Sequence, residues 1–162
     1  MRIFVAIDMP QIDTSFLEHT GVKSVNHFHI TLKFLGDCRP EEVEQVKQLL
    51  ATVPFKPFTL TTTLLGAFPN TARPNVLWLG VKHHPKLIQL QQSIESRLKQ
   101  WQPEKQWIPH ITLARAKSTD GRAFLAQQLS RTIDSRQVPI NHFTIYQSIL
   151  DQGVEYVELK RF

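Results

Sequence analysis

Two copies of one tetrapeptide carry the residues best suited to chemistry in this chain. His29-Ile30-Thr31-Leu32 is the first copy, and His110-Ile111-Thr112-Leu113 repeats it in the second half. Because side chains alternate between the two faces of a strand, each copy predicts a strand with His and Thr on one face and apolar residues on the other. One such copy is expected by chance in roughly one or two chains in a hundred, so the matched pair favours a shared site.

Two facing strands of this kind would place two imidazoles and two hydroxyls around one small space. Imidazole titrates near neutral pH and serves as general acid or general base. Threonine hydroxyls can donate hydrogen bonds to developing negative charge. One histidine must then be neutral and the other protonated, which predicts a bell-shaped pH profile. For either copy alone, the alternative is a hydrogen-bonded histidine of the sheet.

Composition limits the kind of protein that surrounds this site. The chain has 162 residues, enough for one domain or two small lobes sharing a core. Its net charge of +5 favours an anionic partner, although a solvated basic surface would look the same. Cys38 is the single cysteine, so no internal disulfide can form, as is usual in the cytosol. The apolar run Ile3–Ile7 is too short for a signal peptide or a membrane span.

Local patterns predict strands with interspersed helices. β-branched and aromatic residues indicate strands over 2–8, 27–35, 57–68, 76–81, 110–115, 140–150 and 154–162. Apolar periodicity and start signals indicate helices over 40–51, 85–101 and 121–131, the last capped by Thr119 or Asp120. A weak helical pattern covers 11–20, and Asp151-Gln152-Gly153 is typical of a hairpin turn.

In order along the chain, these segments resemble the 2H phosphoesterases, and within them the bacterial and archaeal RNA 2′,3′-cyclic phosphodiesterases, also called 2′-5′ RNA ligases. The resemblance rests on both motifs and on segments 1–8, 73–81, 109–115 and the tail from Tyr146 to Phe162. It implies an α+β fold of two pseudo-symmetric lobes, each an antiparallel sheet with outer helices, around an active-site cleft. Residues 1–162 would form one bilobal domain. The segment 9–26 is shorter than the helix that the family usually carries there.

The resemblance also implies roles for the motif residues. His29 would protonate the leaving 3′ oxygen, and His110 would deprotonate water, which leaves a 2′-phosphate. Thr31 and Thr112 would donate hydrogen bonds to the phosphoryl oxygens. No metal or cofactor is required. Arg115 would bind the phosphate, but strict alternation places it on the face opposite His110, so it needs a bulge, a strand end or a twist to reach the cleft.

Further RNA contacts are predicted with less support from the pattern. Strict alternation places Lys33 on the same face of the strand as His29, where it would add positive potential to the cleft. Phe4 and Tyr146 are candidates for stacking on RNA bases. Core packing is the alternative for Phe4 and the preferred interpretation of Trp78 and Trp107. His27 and the pair His83-His84 lack an obvious acidic or cysteine partner, so a zinc site is not favoured.

The leading functional prediction is a cytoplasmic, monomeric enzyme that hydrolyses RNA 2′,3′-cyclic phosphate ends without metal. Three alternatives stay open from sequence. The same residues could join a cyclic phosphate to a 5′-hydroxyl in a 2′-5′ bond, or act on small cyclic nucleotides. A basic RNA-binding module with a non-catalytic cleft is the third, although binding alone does not need two His/Thr pairs.

Overall fold

The computed structural model describes residues 1–101, 106–151 and 153–162. Within these ranges the chain forms nine strands and three α-helices. The strands are β1 Arg2–Asp8, β2 Val22–Ser24, β3 His29–Asp37, β4 Phe58–Phe68, β5 Val76–Val81, β6 His110–Ala116, β7 Gln137–Ile140, β8 Thr144–Ile149 and β9 Glu155–Arg161. The helices are α1 Pro40–Leu50, α2 Pro85–Arg97 and α3 Thr119–Gln128.

The sheet consists of two four-stranded halves that meet along the two motif strands. One half has the order β9-β8-β1-β3 and the other β6-β5-β4-β7, and the pairings are antiparallel. The halves are joined where Ile30 of β3 pairs with Ile111 of β6. The short strand β2 pairs with the far end of β6. The prediction of two antiparallel lobes in an α+β fold is confirmed, and the motif strands form the junction between them.

The apolar faces of the motif strands lie in the main hydrophobic core. Ile30, Leu32, Ile111 and Leu113 are all buried in one cluster with the apolar faces of the helices. Helix α2 packs on β3 and helix α3 on β6, which leaves the opposite face of each motif strand free for a cleft. Burial of these residues therefore fixes the direction in which the His/Thr face points.

Helix boundaries follow the predicted start signals with one correction. Helix α1 begins at Pro40, and the Glu42 carboxylate accepts a hydrogen bond of 2.7 Å from the backbone N–H of Arg39. Helix α3 is capped by Ser118, whose hydroxyl accepts from the N–H of Gly121 at 3.0 Å, so the predicted caps at Thr119 and Asp120 are wrong. None of the helices in the described ranges is long and apolar enough to cross a membrane.

Two other segments differ from the sequence prediction. The single strand predicted over 140–150 is two strands, because β7 pairs with β4 whereas β8 pairs with β1. In the segment 9–26, the weak helical pattern yields a single 3₁₀ turn at Ser15–Leu17, and β2, which local propensity did not indicate, follows it. The central residue of the predicted turn, Gln152, lies outside the described residues.

Candidate active site

A β-bulge lies at the same place in both motif strands. In β3, Thr31 pairs with Ala6 and Lys33 with Val5, so Leu32 is the extra residue. In β6, Thr112 pairs with Trp78 and Ala114 with Leu77, so Leu113 is the extra residue. Because a bulge inserts one residue, it reverses the alternation of side chains beyond it.

The bulges decide where two predicted cations point. Arg115 follows the bulge in β6 and therefore shares the face of His110 and Thr112, as the phosphate-binding prediction required. Lys33 follows the bulge in β3 and turns into the core, where it is fully buried and its ammonium lies 2.8 Å from the Glu95 carboxylate of α2. The predicted position of Lys33 on the cleft face is therefore wrong, and Phe34 lies there instead.

The motif residues line one cavity of about 450 Å³ between the two halves of the sheet. Both histidines, both threonines and Arg115 contribute to its wall. The remaining lining residues come from the segment after β1 and from the final hairpin: Lys23, Ser24, Val25, Asn26, His27, Gly153, Val154 and Tyr156. The structure thus brings together the five residues for which the sequence predicted the most direct roles.

Each motif histidine is oriented by a backbone carbonyl two residues before it. The Nδ1 atom of His29 lies 3.3 Å from the carbonyl oxygen of His27, and Nδ1 of His110 lies 2.7 Å from that of Ile108. A carbonyl can only accept, so Nδ1 carries the hydrogen in both rings. The Nε2 atom is then the nitrogen available for proton transfer.

Both imidazoles are less basic than an exposed histidine. Burial lowers the pKa of His29 to about 4, and the positive charges of His27 and His110 act in the same direction. Burial also lowers the pKa of His110, with a further contribution from Arg115, against the carbonyl hydrogen bond that raises it. At neutral pH the ligand-free site therefore holds neutral imidazoles, and an anion bound between them raises both pKa values.

This arrangement predicts a titration that NMR can follow directly. In the ligand-free protein, His29 should titrate with a midpoint near pH 4. Inorganic phosphate should shift the midpoint of His29 upward, because a bound anion stabilises the imidazolium. Exposed His83 lies outside the cavity and serves as the control, because its ring resonances should not change when phosphate is added at constant pH. A midpoint for His29 of 6.5 or above without phosphate would contradict this account of the site.

Aromatic rings pack behind His29 rather than offering a stacking surface. The ring of Phe4 lies 5.2 Å from that of His29 and 5.6 Å from that of Tyr146. Phe4 is 4% exposed and Tyr146 is 6% exposed, so the prediction that these rings are open stacking surfaces for RNA bases is wrong. Tyr156 packs edge-on against His29 at 5.3 Å and lines the cavity.

The His110 side of the cleft is built from a different aromatic group. Phe68 meets the His110 ring edge-on at 4.8 Å, and Trp78 lies 6.0 Å away. A Cβ at Gly66 would lie 2.2 Å from the indole of Trp78, so glycine makes room for this ring. Trp107 donates a hydrogen bond of 2.8 Å to the carbonyl oxygen of Thr31 and so ties the segment before β6 to β3.

Asp8 is the centre of a hydrogen-bond network behind the first motif. Its carboxylate lies 3.3 Å from Nε2 of both His27 and His142, and it accepts hydrogen bonds from the hydroxyls of Thr144 and Tyr146. Burial alone would raise the pKa of Asp8. The hydrogen bonds from His27, Tyr146 and His142 outweigh burial and hold that pKa well below its usual value. Asp8 is therefore an anion that holds the imidazole of His27 in place. The backbone carbonyl of His27 in turn orients the ring of His29.

Sequence reasoning missed several of these residues as parts of the site. Asp8 and His142 are too far apart in sequence to form a local motif, and Lys23 lies in a strand that was not predicted. Asp8 and Tyr156 stood in segments that carry the family resemblance, which was a usable signal, whereas His27 lies just before the first motif and outside those segments. In the described part of the chain, no group of three or more His, Cys, Asp or Glu is arranged to hold a metal ion.

Comparison with protein families gives the affiliation of the chain. The model of the 2′-5′ RNA ligase superfamily matches residues 22–152. The chain belongs to this superfamily. The RNA 2′,3′-cyclic phosphodiesterase of Archaeoglobus fulgidus is 32% identical, with 100% of this chain and 99% of the relative covered. The protein of the same name from Escherichia coli is 30% identical over 99% of this chain and 95% of its own length.

Solved structures share the fold of this chain. Escherichia coli LigT in complex with 3′-AMP superposes with a TM-score of 0.76 at 27% identity, covering 99% of this chain and 96% of LigT. The protein TT0787 of Thermus thermophilus superposes with a TM-score of 0.79 at 24% identity, covering 100% and 97% of the two chains. The predicted family is confirmed, and the family supports phosphodiesterase activity.

Proposed function

We propose that the chain hydrolyses 2′,3′-cyclic phosphodiester ends of RNA to 2′-phosphomonoesters without a metal ion. One observation carries the proposal. Two matched His/Thr pairs line a single cavity, and a bulge turns Arg115 onto their face. The relatives named RNA 2′,3′-cyclic phosphodiesterase support the choice of substrate. Residues 1–162 would act together as one bilobal catalytic domain, because the cavity has walls from both halves.

In the proposed reaction, His110 is the base and His29 is the acid. Nε2 of His110 accepts a proton from water as the water oxygen attacks phosphorus. The bond between phosphorus and the 3′ oxygen breaks, and the imidazolium of His29 gives its proton to that oxygen. The product carries a 2′-phosphate and a 3′-hydroxyl, so atoms and protons balance.

The remaining site residues stabilise charge on the phosphoryl group. Thr31 and Thr112 donate hydrogen bonds to the non-bridging oxygens, and the guanidinium of Arg115 neutralises their charge. The low pKa of His29 in the ligand-free protein is compatible with its role as the acid. Binding of an anionic phosphodiester raises that pKa and allows His29 to hold a proton within the complex.

The function is tested with purified protein and a short RNA ending in 2′,3′-cyclic phosphate, in the presence of EDTA. The expected product is the 2′-monophosphate. A 3′-monophosphate would overturn the assignment of the leaving group, and turnover only with added metal would overturn the metal-free mechanism. Adding an RNA with a 5′-hydroxyl tests for a joined 2′-5′ product, and adenosine diphosphate ribose cyclic phosphate tests for preference toward small nucleotides. RNA binding without turnover of any substrate would indicate a binding module.

A further inference from the structure

The active-site cavity has more positive charge than one cyclic phosphate requires. Lys23 and Arg115 both line it, whereas its lining contains no aspartate or glutamate among the described residues. No carboxylate in the part of the chain that the structure describes lies within ion-pair distance of either side chain. A 2′,3′-cyclic phosphodiester carries a single negative charge, which Arg115 can neutralise. Lys23 therefore faces the same cavity with a charge that the proposed reaction does not use.

The register of the sheet places these two cations side by side. Lys23 of β2 pairs directly with Arg115 of β6, and directly opposed residues of an antiparallel pair share a face. Neighbouring strands lie about 4.8 Å apart, so the ends of two long side chains can bind two anionic groups of one ligand. Both residues are exposed at the sheet surface, so neither charged group is buried in the hydrophobic core.

The position of β2 sets the order of the two cations along the cleft. Strand β3 pairs with β6 at Ile111, beside His110, and β2 pairs with β6 only over residues 114–116. Lys23 therefore lies beside Arg115 at one end of the cleft. Thr112 lies between that end and the motif histidines. The cavity of about 450 Å³ falls in the range of about 300–1,000 Å³ that is usual for small-molecule sites. It has room for a whole nucleotide.

We propose that Lys23 and Arg115 form a two-phosphate clamp for the terminal nucleotide. Arg115 binds the 2′,3′-cyclic phosphate, and Lys23 binds the phosphate on the 5′ oxygen of the same nucleotide. In an RNA chain this second group is the bridging phosphodiester, and in a free nucleotide it is a terminal 5′-phosphate. The clamp rests on the proposed function, and it predicts preference for substrates with a second phosphate over a nucleoside cyclic phosphate.

Three substrates and three variants test the clamp. The substrates are adenosine 2′,3′-cyclic phosphate, its 5′-phosphorylated form, and the dinucleotide ApA ending in 2′,3′-cyclic phosphate. The variants are Lys23→Ala, Lys23→Arg and the control Lys82→Ala, which removes an exposed lysine outside the cavity. Lys23→Ala should lower kcat/KM about 5- to 20-fold for the two substrates with a second phosphate and less than twofold for the first. Lys23→Arg should restore most of the loss.

The pattern across substrates decides the outcome. An equal loss on all three substrates would place Lys23 at the cyclic phosphate and overturn the clamp, as would no loss on any. A loss of kcat/KM confined to the dinucleotide would also overturn the clamp, because it would mean that Lys23 contacts the upstream nucleoside. Arg115→Ala should reduce turnover of all three. The advantage of the phosphorylated substrate should also shrink as salt is raised, because the added contact is between exposed charges.

The test separates the clamp from the proposed function. Turnover of adenosine 2′,3′-cyclic phosphate by the unmodified protein tests the function alone. If none of the substrates is turned over, calorimetry with adenosine 2′,5′-bisphosphate and adenosine 2′-monophosphate tests the clamp by binding. Lys23→Ala should then weaken binding of the bisphosphate about 5- to 20-fold and leave binding of the monophosphate within twofold. If Lys23→Ala binds the bisphosphate as tightly as the unmodified protein does, the clamp is overturned.

Discussion

Replacement of His29 or His110 by alanine is expected to lower kcat for an RNA 2′,3′-cyclic phosphate about 10²- to 10⁴-fold, the usual contribution of one acid–base group. Each variant lacks one of the two proton transfers that the reaction requires. The substitutions should be tolerated by the fold, because the apolar core lies on the opposite face of both motif strands. Single-turnover kinetics with the 2′-phosphate product as readout measures the loss.

Three comparisons make this prediction specific. His83→Ala removes an exposed histidine outside the cavity and should leave kcat unchanged. The double variant His29→Ala/His110→Ala should lose little more than either single variant, because residues that act as a unit are not additive. His29→Asn and His110→Asn can keep a donor toward the backbone carbonyl and should be as inactive as alanine. Substantial turnover by any of the motif variants would contradict the two-histidine mechanism.

Asp8→Ala is expected to cost about 2–4 kcal/mol of unfolding free energy, because it leaves the buried hydroxyls of Thr144 and Tyr146 and two half-buried histidines without their acceptor. Tyr146 loses the acceptor of its hydroxyl, and His27 and His142 lose the carboxylate between them. Urea unfolding at pH 7 measures the cost. The control Asp134→Ala removes an exposed carboxylate for which the structure gives no side-chain hydrogen bond within the described ranges, and it should change stability by about 0.5 kcal/mol or less.

The cost of Asp8→Ala should also depend on pH with a defined sign. The folded-state pKa of Asp8 lies below its unfolded value of 3.8, so the unfolded chain binds the proton more readily. The stabilisation is therefore fully present above about pH 4 and declines as pH falls below the unfolded value toward the folded pKa. The unmodified protein and the variant should converge in stability under acid conditions. A difference in stability that stays constant from about pH 7 to about pH 2.5 would contradict the assigned network.

The sequence determined the paired site because its signal is local and repeated. A His-x-Thr spacing with apolar neighbours fixes one polar and one buried face wherever it forms a strand. Burial of Ile30 and Leu32 on one side and of Ile111 and Leu113 on the other therefore settles which way the histidines point. The α+β class and the two antiparallel lobes followed from the family resemblance.

Only the tertiary structure decided which neighbours of the motifs belong to the site. Strict alternation of side chains along a strand predicted that Lys33 points into the cleft and Arg115 away from it. The bulges at Leu32 and Leu113 reverse the direction of both side chains. A bulge depends on the register with the partner strand, which is fixed by packing across the sheet and not by the bulged segment itself.

Contacts between distant parts of the chain were equally beyond sequence reasoning. Asp8 meets Tyr146 across 138 positions, and the resulting network buries a ring that looked suited to stacking on RNA. Lys23 reaches Arg115 because a strand too short to be predicted adds to the end of β6. The spacing of residues within each motif strand is enough to place its His and Thr on one face. The side chains that support or extend the site are brought there by pairing between strands distant in sequence, which forms only in the folded sheet.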